Sequence, residues 1–593
     1  MKTPMRIPSR LLLVALHLLL LLATTIQASL PRLFPAAKQE RYDPQARLLC
    51  TVLGHPSLFS TLRHPLVVGT TSTTGSTDHD DDHPILEAAK KRFLEYLQQL
   101  PDYAEEYPVN PHKQELKPIK SIKLVVRDTA NNATYHHVPA NVDESYQIQI
   151  DCNTGDQHRV LVQSRTVFGM VRALESLAQL VAFGWMDTSS SSSTDPVGSS
   201  SDGKAVFVIR NTPLFVADKP TFSYRGLMID TARHYLPLDL ILSNLDVMSM
   251  NKLNVLHWHM TDDQSWPFQS TTYPEISEKG AYDPKHNVYS HDDVQQVLDA
   301  ALLHGIRVIP EFDLPGHSAA VGRSHPELMS SCGDDKKYSF SAPLDPTKPQ
   351  VYQFVENIYK EVAALFPDPF MHVGGDEVRL DCWKASKSIQ RWAKVHGHMT
   401  EKELLNYFES ILTDIVASNG KTPIAWQELL NEGVDLPPGT IIDVWKGFDK
   451  DTIINATKRN YPVIISGCWY LDHLQDKWKD YYKCDPLDFN GTKAQKDLVM
   501  GGHASMWGER VDPTDFTARV WPRASAVAER LWSGNDPRKS LQQTVEQRLT
   551  NFRCFMVQRG VSAAPIGPGT CGRRQEQQDG TKLLFLRSRQ ADG

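Results

Sequence analysis

The stretch YRGLMIDTARH, residues 224–234, is an apolar run that breaks off in Asp230, Arg233 and His234. On its own it reads as a strand buried on both faces, with a polar end. The same shape recurs in NVLHWHMTD (254–262), IRVIPEFDLPGH (306–317), FMHVGGDE (370–377), PIAWQE (423–428), TIIDVWK (440–446), PVIISGCWYLD (462–472) and ASMWGE (504–509). Between the runs lie amphipathic helical segments such as LDLILSNLDVMSMNK, HDDVQQVLDAALLHG, VYQFVENIYKEVAALF and KELLNYFESILTDIVASNG, two of them closing on Gly305 and Gly420. Eight strands alternating with helices predict an α/β fold, a parallel (β/α)8 TIM barrel.

Every run ends in charged or aromatic residues: Arg233 and His234, Asp262 and Asp263, Asp313 and His317, Asp376 and Glu377, Trp426 and Glu428, Asp443 and Trp445, Tyr470 and Asp472, Trp507 and Glu509. In a barrel these ends converge on the C-terminal face, where active sites are built. Any single one reads as a helix cap or rim salt bridge, but all eight together indicate a site.

Outward from the barrel, the chain has 593 residues, 41% of them hydrophobic, enough for a large core and two domains or more. Residues 29–220 contain a helical stretch, PILEAAKKRFLEYLQQL, the strand-like segments IKLVVRD, SYQIQI and RVLVQS, and TVFGMVRALESLAQLVAFG with apolar residues at helical spacing. They predict a small α+β domain preceding a barrel of residues 221–575, with a polar tail at 576–593. TTSTTGSTDHDDDH (70–83) and TSSSSSTDPVGSSSDG (188–203) are too polar to fold alone and read as surface insertions.

Lys2, Arg6 and Arg10 precede an apolar run from Leu11 to Leu22 and small residues up to Ala28, the pattern of a signal peptide over residues 1–28. No later stretch is long enough to span a bilayer. Passage through the secretory pathway, toward a lysosome, a vacuole or the medium, makes the eight cysteines candidates for disulfides and the sequons at Asn132, Asn455 and Asn490 candidates for glycans. Eight cysteines allow 105 pairings, and spacing does not choose among them. The expected pairs are Cys332 with Cys382 and Cys554 with Cys571, and then Cys50 with Cys152 and Cys468 with Cys484. A net charge of -7, with no dense Lys/Arg run, leaves nucleic acid without a basic surface to bind.

The strand ends are rich in carboxylates and indoles. GGDE supplies acids where a phosphate site would want Gly and Lys, and no GxSxG elbow marks a nucleophilic serine. His257 and His259 of HWH, with Asp262, resemble the strand-end HxH of barrel metallohydrolases, but later ends add acids and tryptophans in place of further ligands. No metal and no cofactor is expected.

Acids with aromatics suit a sugar. Two carboxylates commonly flank a glycosidic bond, yet adjacent residues of a strand point to opposite sides, so Asp376 and Glu377 reach one substrate only from a turn. That pattern suits one acid plus a helper, as when the 2-acetamido carbonyl of the substrate attacks its own anomeric carbon. Asp262, Asp313, Glu428, Asp443 and Glu509 remain candidates for a nucleophile supplied by the protein.

Together RGLMIDTARHYLP, NKLNVLHWHMTDDQSWP, EFDLPGH, HVGGDEV, IAWQE, DVWK, WYLD, MWGE and WPRASAVAERLWS resemble glycoside hydrolase family 20, the β-N-acetylhexosaminidases that include the lysosomal hexosaminidase subunits. The similarity runs from about residue 120 to 571 and includes VDESYQI and ALESLAQL of the family's N-terminal domain. It implies that Glu377 is the general acid/base, and that Asp376 orients and stabilises the acetamido group as an oxazolinium ion forms. Tyr470 would bond the acetamido oxygen, while Trp426, Trp445 and Trp507 enclose the sugar. Arg233, Asp472 and Glu509 would hold ring hydroxyls, and Asp262 with His317 would form a network behind the acid. The resemblance further implies a homodimer, exo-action on glycans ending in β-linked N-acetylhexosamine, and, with His473 following Asp472, a preference for neutral sugars. The alternative is a glycan-binding protein without turnover, against which stands the presence of the acid, its helper and Tyr470.

Overall fold

The computed structural model describes residue 34 and residues 39–42, 49–52, 83–103, 107–109, 116–119, 122–127, 135–152, 160–186, 204–332, 341–534 and 542–571. The leader, the two low-complexity patches up to residue 82 and over 188–203, Asn132, the Cys50 side chain and the polar tail lie outside these residues.

Eight parallel strands close the barrel in chain order: β1 (Tyr224–Asp230), β2 (Val255–Thr261), β3 (Arg307–Phe312), β4 (Phe370–His372), β5 (Thr422–Trp426), β6 (Ile441–Val444), β7 (Val463–Ile465) and β8 (Val499–Met506), with β8 pairing back onto β1. Six of the eight quoted runs contain one of them whole, PIAWQE misses its first residue, Thr422, and ASMWGE holds only the last three residues of β8. Residues two apart share a face of a strand. At the bottom of the lumen Tyr224, Val255, Ile309, Ile424, Ile441 and Ile464 therefore pack together. One step up, the same alternation brings His257, Glu311, His372, Asp443 and His503 inside, all buried. Beside this layer Met228, Trp426 and Trp507 form an apolar cluster with Trp445 and Tyr470 against it. Barrel lumens are ordinarily filled by branched aliphatics, so this buried polar layer is a departure that needs a reason.

The helices between strands carry their own stop signals. His291–Leu303 starts in a capping box at Ser290 and Asp293, and Glu401–Ser418 in one at Thr400 and Glu403. They end before Gly305 (φ +65°) and Gly420 (φ +74°), whose left-handed backbone glycine adopts freely.

The N-terminal region contributes two five-stranded sheets, and the helix Val167–Leu180 packs on one of them, against Tyr146–Ile150 and Val160–Ser164. The helical spacing seen through residue 184 was misleading at its end. Val181–Met186 is a strand, paired antiparallel with Lys204–Ile209, because cross-strand bonding outcompetes another helical turn for a β-branched and aromatic segment.

Glu144 joins this region to the base of the barrel. Its carboxylate takes Arg225 Nη2 at 2.8 and 2.7 Å and Arg172 Nε at 2.8 Å, and Arg172 also donates to the carbonyls of His304 and Gly305. Arg225 opens β1, so the clamp grips the N-terminal end of the strands and leaves the opposite mouth free. Disulfides join Cys332 to Cys382, Cys468 to Cys484, and Cys554 to Cys571. Cys152 is also disulfide-bonded, but its expected pairing with Cys50 lies outside the described residues.

Glu409, on the helix Glu401–Ser418, is fully buried, and neither carboxylate oxygen has a hydrogen-bond partner among the described residues. Burial, and secondarily the charge of Asp376, push its pKa well above the carboxylate range. The folded chain thus keeps a proton that the unfolded chain releases above about pH 4.3. Stability from this group is intact below that pH and is lost as pH rises. Glu409→Gln is expected to leave Tm nearly unchanged at pH 4 and to raise it increasingly toward pH 7, read by thermal scans across that range.

Candidate active site

At the C-terminal mouth a cavity of about 400 Å³ is lined by Arg233, His317, Asp376, Glu377, Trp445, Tyr470, Asp472, His473, Gln475, Trp507, Glu509 and Arg510. That is near the lower end of ligand-pocket sizes, roughly 300–1,000 Å³. A larger hollow of about 780 Å³ lies on the N-terminal region around Arg127, Asp143 and Lys219, with no tryptophan in its wall. Carboxylates and indoles meet in the smaller one.

The turn after β4 explains how two neighbouring acids face one space. Gly374 has φ +74° and Gly375 φ +93°, and a Cβ on Gly374 would sit 1.8 Å from Asp313 Oδ1. Only glycine fits there. Glu377 itself has φ +49° and His317 φ +45°, conformations that non-glycine residues hold only when their surroundings impose them. Gly375 N–H donates to Asp313 Oδ1 at 2.8 Å and fixes the turn against the end of β3.

The two acids differ in setting. The Glu377 side chain is 60% exposed at the opening, whereas that of Asp376 is 10% exposed, and Asp376 Oδ1 has no hydrogen-bond partner among the described residues. His317 Nε2 stands 3.8 Å from Asp376 and 3.7 Å from Glu377. Its Nδ1 is 3.1 Å from Asp262 Oδ1. Burial would lower the His317 pKa, but Asp262 and then Asp376 outweigh it and raise it to about 10, so the ring is an imidazolium in acidic and neutral solution. Burial, and next the Asp376 carboxylate, push Asp313 well above the carboxylate range, and it keeps its proton.

Asp262 is wholly buried beside the pocket, bound by Arg233 Nη2 at 2.8 Å, His259 Nε2 at 2.9 Å and His317. Arg233 also pairs with Asp230 at 3.2 Å, lies over the Trp507 ring at 5.0 Å and reaches toward Glu509 at 3.9 Å. Asp472 Oδ1 is another acceptor with no partner among the described residues. Burial, with a contribution from Glu509, raises its pKa to about 6.

Trp426 is not among the residues that line the cavity; it lies buried behind them, 6.1 Å from Trp507 and 6.5 Å from Trp445, and Trp445 stacks on Tyr470 at 6.1 Å. Trp445 Nε1–H donates to Glu428 Oε2 at 2.8 Å, and Lys446 pairs with the other oxygen at 2.7 Å.

The strand ends therefore do not all meet as the sequence suggested. Asp443 lies within the barrel, held by His503 Nε2 at 2.7 Å and Ser466 Oγ at 2.6 Å, because it falls one inward step below Trp445. His257 and His259 point into the lumen toward Glu311. Sequence reading had singled out His473 but missed Gln475 and Arg510, which follow recognised strand ends by only a few residues, and Glu311, whose alternation with Ile309 and Asp313 was the available signal. Asn455 and Asn490 are both exposed.

Comparison with known proteins agrees with this geometry. The family model described as glycosyl hydrolase family 20, catalytic domain, matches residues 222–535, and one described as beta-acetyl hexosaminidase like matches residues 54–180. The chain is 42% identical over 434 residues to the human β-hexosaminidase subunit beta, covering 72% of this chain and 73% of that protein. It is 40% identical over 490 residues to β-hexosaminidase A of Caenorhabditis elegans, covering 78% and 82%. Among solved structures, a Flavobacterium johnsoniae chitobiase shares the fold with a TM-score of 0.68 at 24% identity, over 90% of this chain and 74% of that chain. With family model, curated relatives and pocket in agreement, the chain belongs to glycosyl hydrolase family 20 and is a glycoside hydrolase of the β-hexosaminidase type.

Proposed function

We propose that the chain is an exo-acting β-N-acetylhexosaminidase that releases terminal β-linked GlcNAc or GalNAc with retention, using the substrate's own acetamido group as nucleophile. Glu377 protonates the leaving oxygen while the acetamido carbonyl attacks C1. Asp376 accepts the acetamido N–H and balances the charge of the oxazolinium ion, and Tyr470 bonds its oxygen. Water, deprotonated by Glu377, then opens that ion from the face the leaving group vacated. Trp445 and Trp507 enclose the sugar, with Trp426 behind them. Arg233, Asp472 and Glu509 hold its hydroxyls at the closed end, with neutral sugars preferred.

The observation that carries this reading is the Asp376 carboxylate at the cavity wall beside Glu377 on a single turn, with protonated Asp313 as its neighbour and no N–H of the described residues donating to its Oδ1. An acetamido N–H would meet that oxygen. The other carboxylates considered as nucleophiles have prior partners: Asp262 with Arg233 and two histidines, Asp313 with Gly375, Asp443 with His503, Glu428 with Trp445 and Lys446, and Glu509 beside Arg233. The expected product of chitobiose hydrolysis, followed by NMR, is the β-anomer of GlcNAc first. First release of the α-anomer, or cleavage in the middle of a long chitooligomer, would overturn the proposal.

The leader pattern and the disulfides support a place in the secretory pathway, in a lysosome or vacuole or outside the cell. No helix among the described residues is long and apolar enough to cross a membrane. Glycans on Asn132, Asn455 and Asn490 and a homodimer complete the proposal, the dimer resting on family resemblance.

A further inference from the structure

Glu311, fully buried under the pocket, takes part in no step described so far. Its Oε1 accepts Trp426 Nε1–H at 2.8 Å. Its Oε2 lies 2.8 Å from His257 Nε2 and 2.8 Å from His259 Nδ1. The other nitrogen of His259 is 2.9 Å from Asp262 Oδ2, and Asp262 Oδ1 is 3.1 Å from His317 Nδ1, whose opposite nitrogen faces both acids of the turn. One carboxylate thus touches the indole cluster on one side and begins, on the other, an alternation of acid and imidazole that ends at Glu377.

We infer that Glu311 is a positioning residue that ties the indole cluster to the acid relay, holding Trp426 in place and anchoring the His259–Asp262–His317 chain behind Glu377. The inference rests on the proposed function and adds a residue to it.

The chemistry requires an anion there. Trp426 Nε1–H donates to one oxygen, and His257 Nε2 and His259 Nδ1 both stand 2.8 Å from the other, a setting that suits an ionised carboxylate and not an amide, whose NH2 would face a donor. Burial would raise the Glu311 pKa, but His372, His259 and His257 outweigh it and hold it well below the carboxylate range. Burial would likewise lower that of His259, and Glu311, followed by Asp262, overcomes this and raises it to about 10. His259 is also faced by Arg233 Nη1 at 3.4 Å, by the charge of Asp230 and by the edge of Trp507. Around Glu311 stand His372 Nδ1 at 3.3 Å, the protonated Asp313 and, past the His257 ring, His503 with Asp443. Without the Glu311 charge, His259 would give up its proton at lower pH.

The test is the pH profile of kcat/KM in the full chain carrying Glu311→Gln. The alkaline limb is expected to move acid-ward by about one unit or more, and kcat to fall by about ten- to a hundredfold through misplacement of the acid. Trp426→Phe, which deletes the indole donor, is expected to raise KM without moving the limb. A folded Glu311→Gln enzyme whose limb stays where it is in the wild type overturns the inference, even if Tm drops, because a merely structural role would do that. Should Glu311→Gln fail to fold, His259→Gln cuts the same relay one residue further on, and an unmoved limb there is equally fatal. An inactive wild type would count against the proposed function, whereas an active wild type with unmoved limbs in the variants counts against Glu311 alone.

Discussion

Asp376→Asn is expected to lower kcat for p-nitrophenyl-β-GlcNAc by about 10²–10³-fold while changing KM far less. The substitution keeps the volume of a side chain that is only 10% exposed and removes one negative charge. What is lost is the counter-charge to a cation that exists only along the reaction path, so transition-state stabilisation goes and ground-state binding stays. A thiazoline that imitates the oxazolinium ion should therefore inhibit the wild type strongly and the variant weakly. Two further effects are expected in the same variant. Asp313, kept protonated partly by the Asp376 charge, would lose that bias, and His317 would lose one of the two anions that raise its pKa. Full activity in Asp376→Asn together with indifference to the thiazoline would mean that a protein carboxylate attacks C1.

Glu377→Gln should cut turnover of chitobiose by about 10²–10⁴-fold, the usual contribution of a positioned general acid. The reducing-end sugar of chitobiose leaves as an alkoxide that needs a proton, whereas 2,4-dinitrophenolate does not. The loss on a 2,4-dinitrophenyl glycoside should be much smaller in the first step, with the remaining defect in opening of the oxazolinium ion by water. Glu377 is suited to both transfers because its side chain is 60% exposed at the opening, where leaving group and water pass, and stands 3.7 Å from the His317 imidazolium. Equal losses on both substrates would point to a role in binding rather than proton transfer.

Much of this arrangement was legible in the chain. Eight apolar runs, each followed by polar residues, are local patterns, and a strand buried on both faces can hardly be written otherwise. The glycines of HVGGDEV announced a tight turn and two acids on it, and the positive φ values of Gly374, Gly375 and Glu377 are that turn. The family motifs, continuous over a few residues each, carried the rest of the mouth. Where local pattern met cross-strand competition it misled, as at Val181, where helical spacing ran into a strand.

Partnership is what the chain could not state. Asp262, Asp313, Glu428, Asp443 and Glu509 are the same kind of residue in the same kind of position, and as sequence they were equal candidates for a nucleophile. Their roles separate only because inward positions of non-adjacent strands share layers of the lumen. That layering gives Asp443 to His503 and Ser466, gives Asp262 to Arg233 and His259, and leaves Asp376 Oδ1 without an N–H donor among the described residues. The sequence by itself determined a (β/α)8 barrel with a carboxylate- and indole-lined mouth, because strand alternation and turn chemistry are encoded within a few residues. Only the tertiary structure decided which acid is spent on the protein and which is open to a substrate, because burial and hydrogen-bond partnership depend on side chains brought together from strands far apart in the chain.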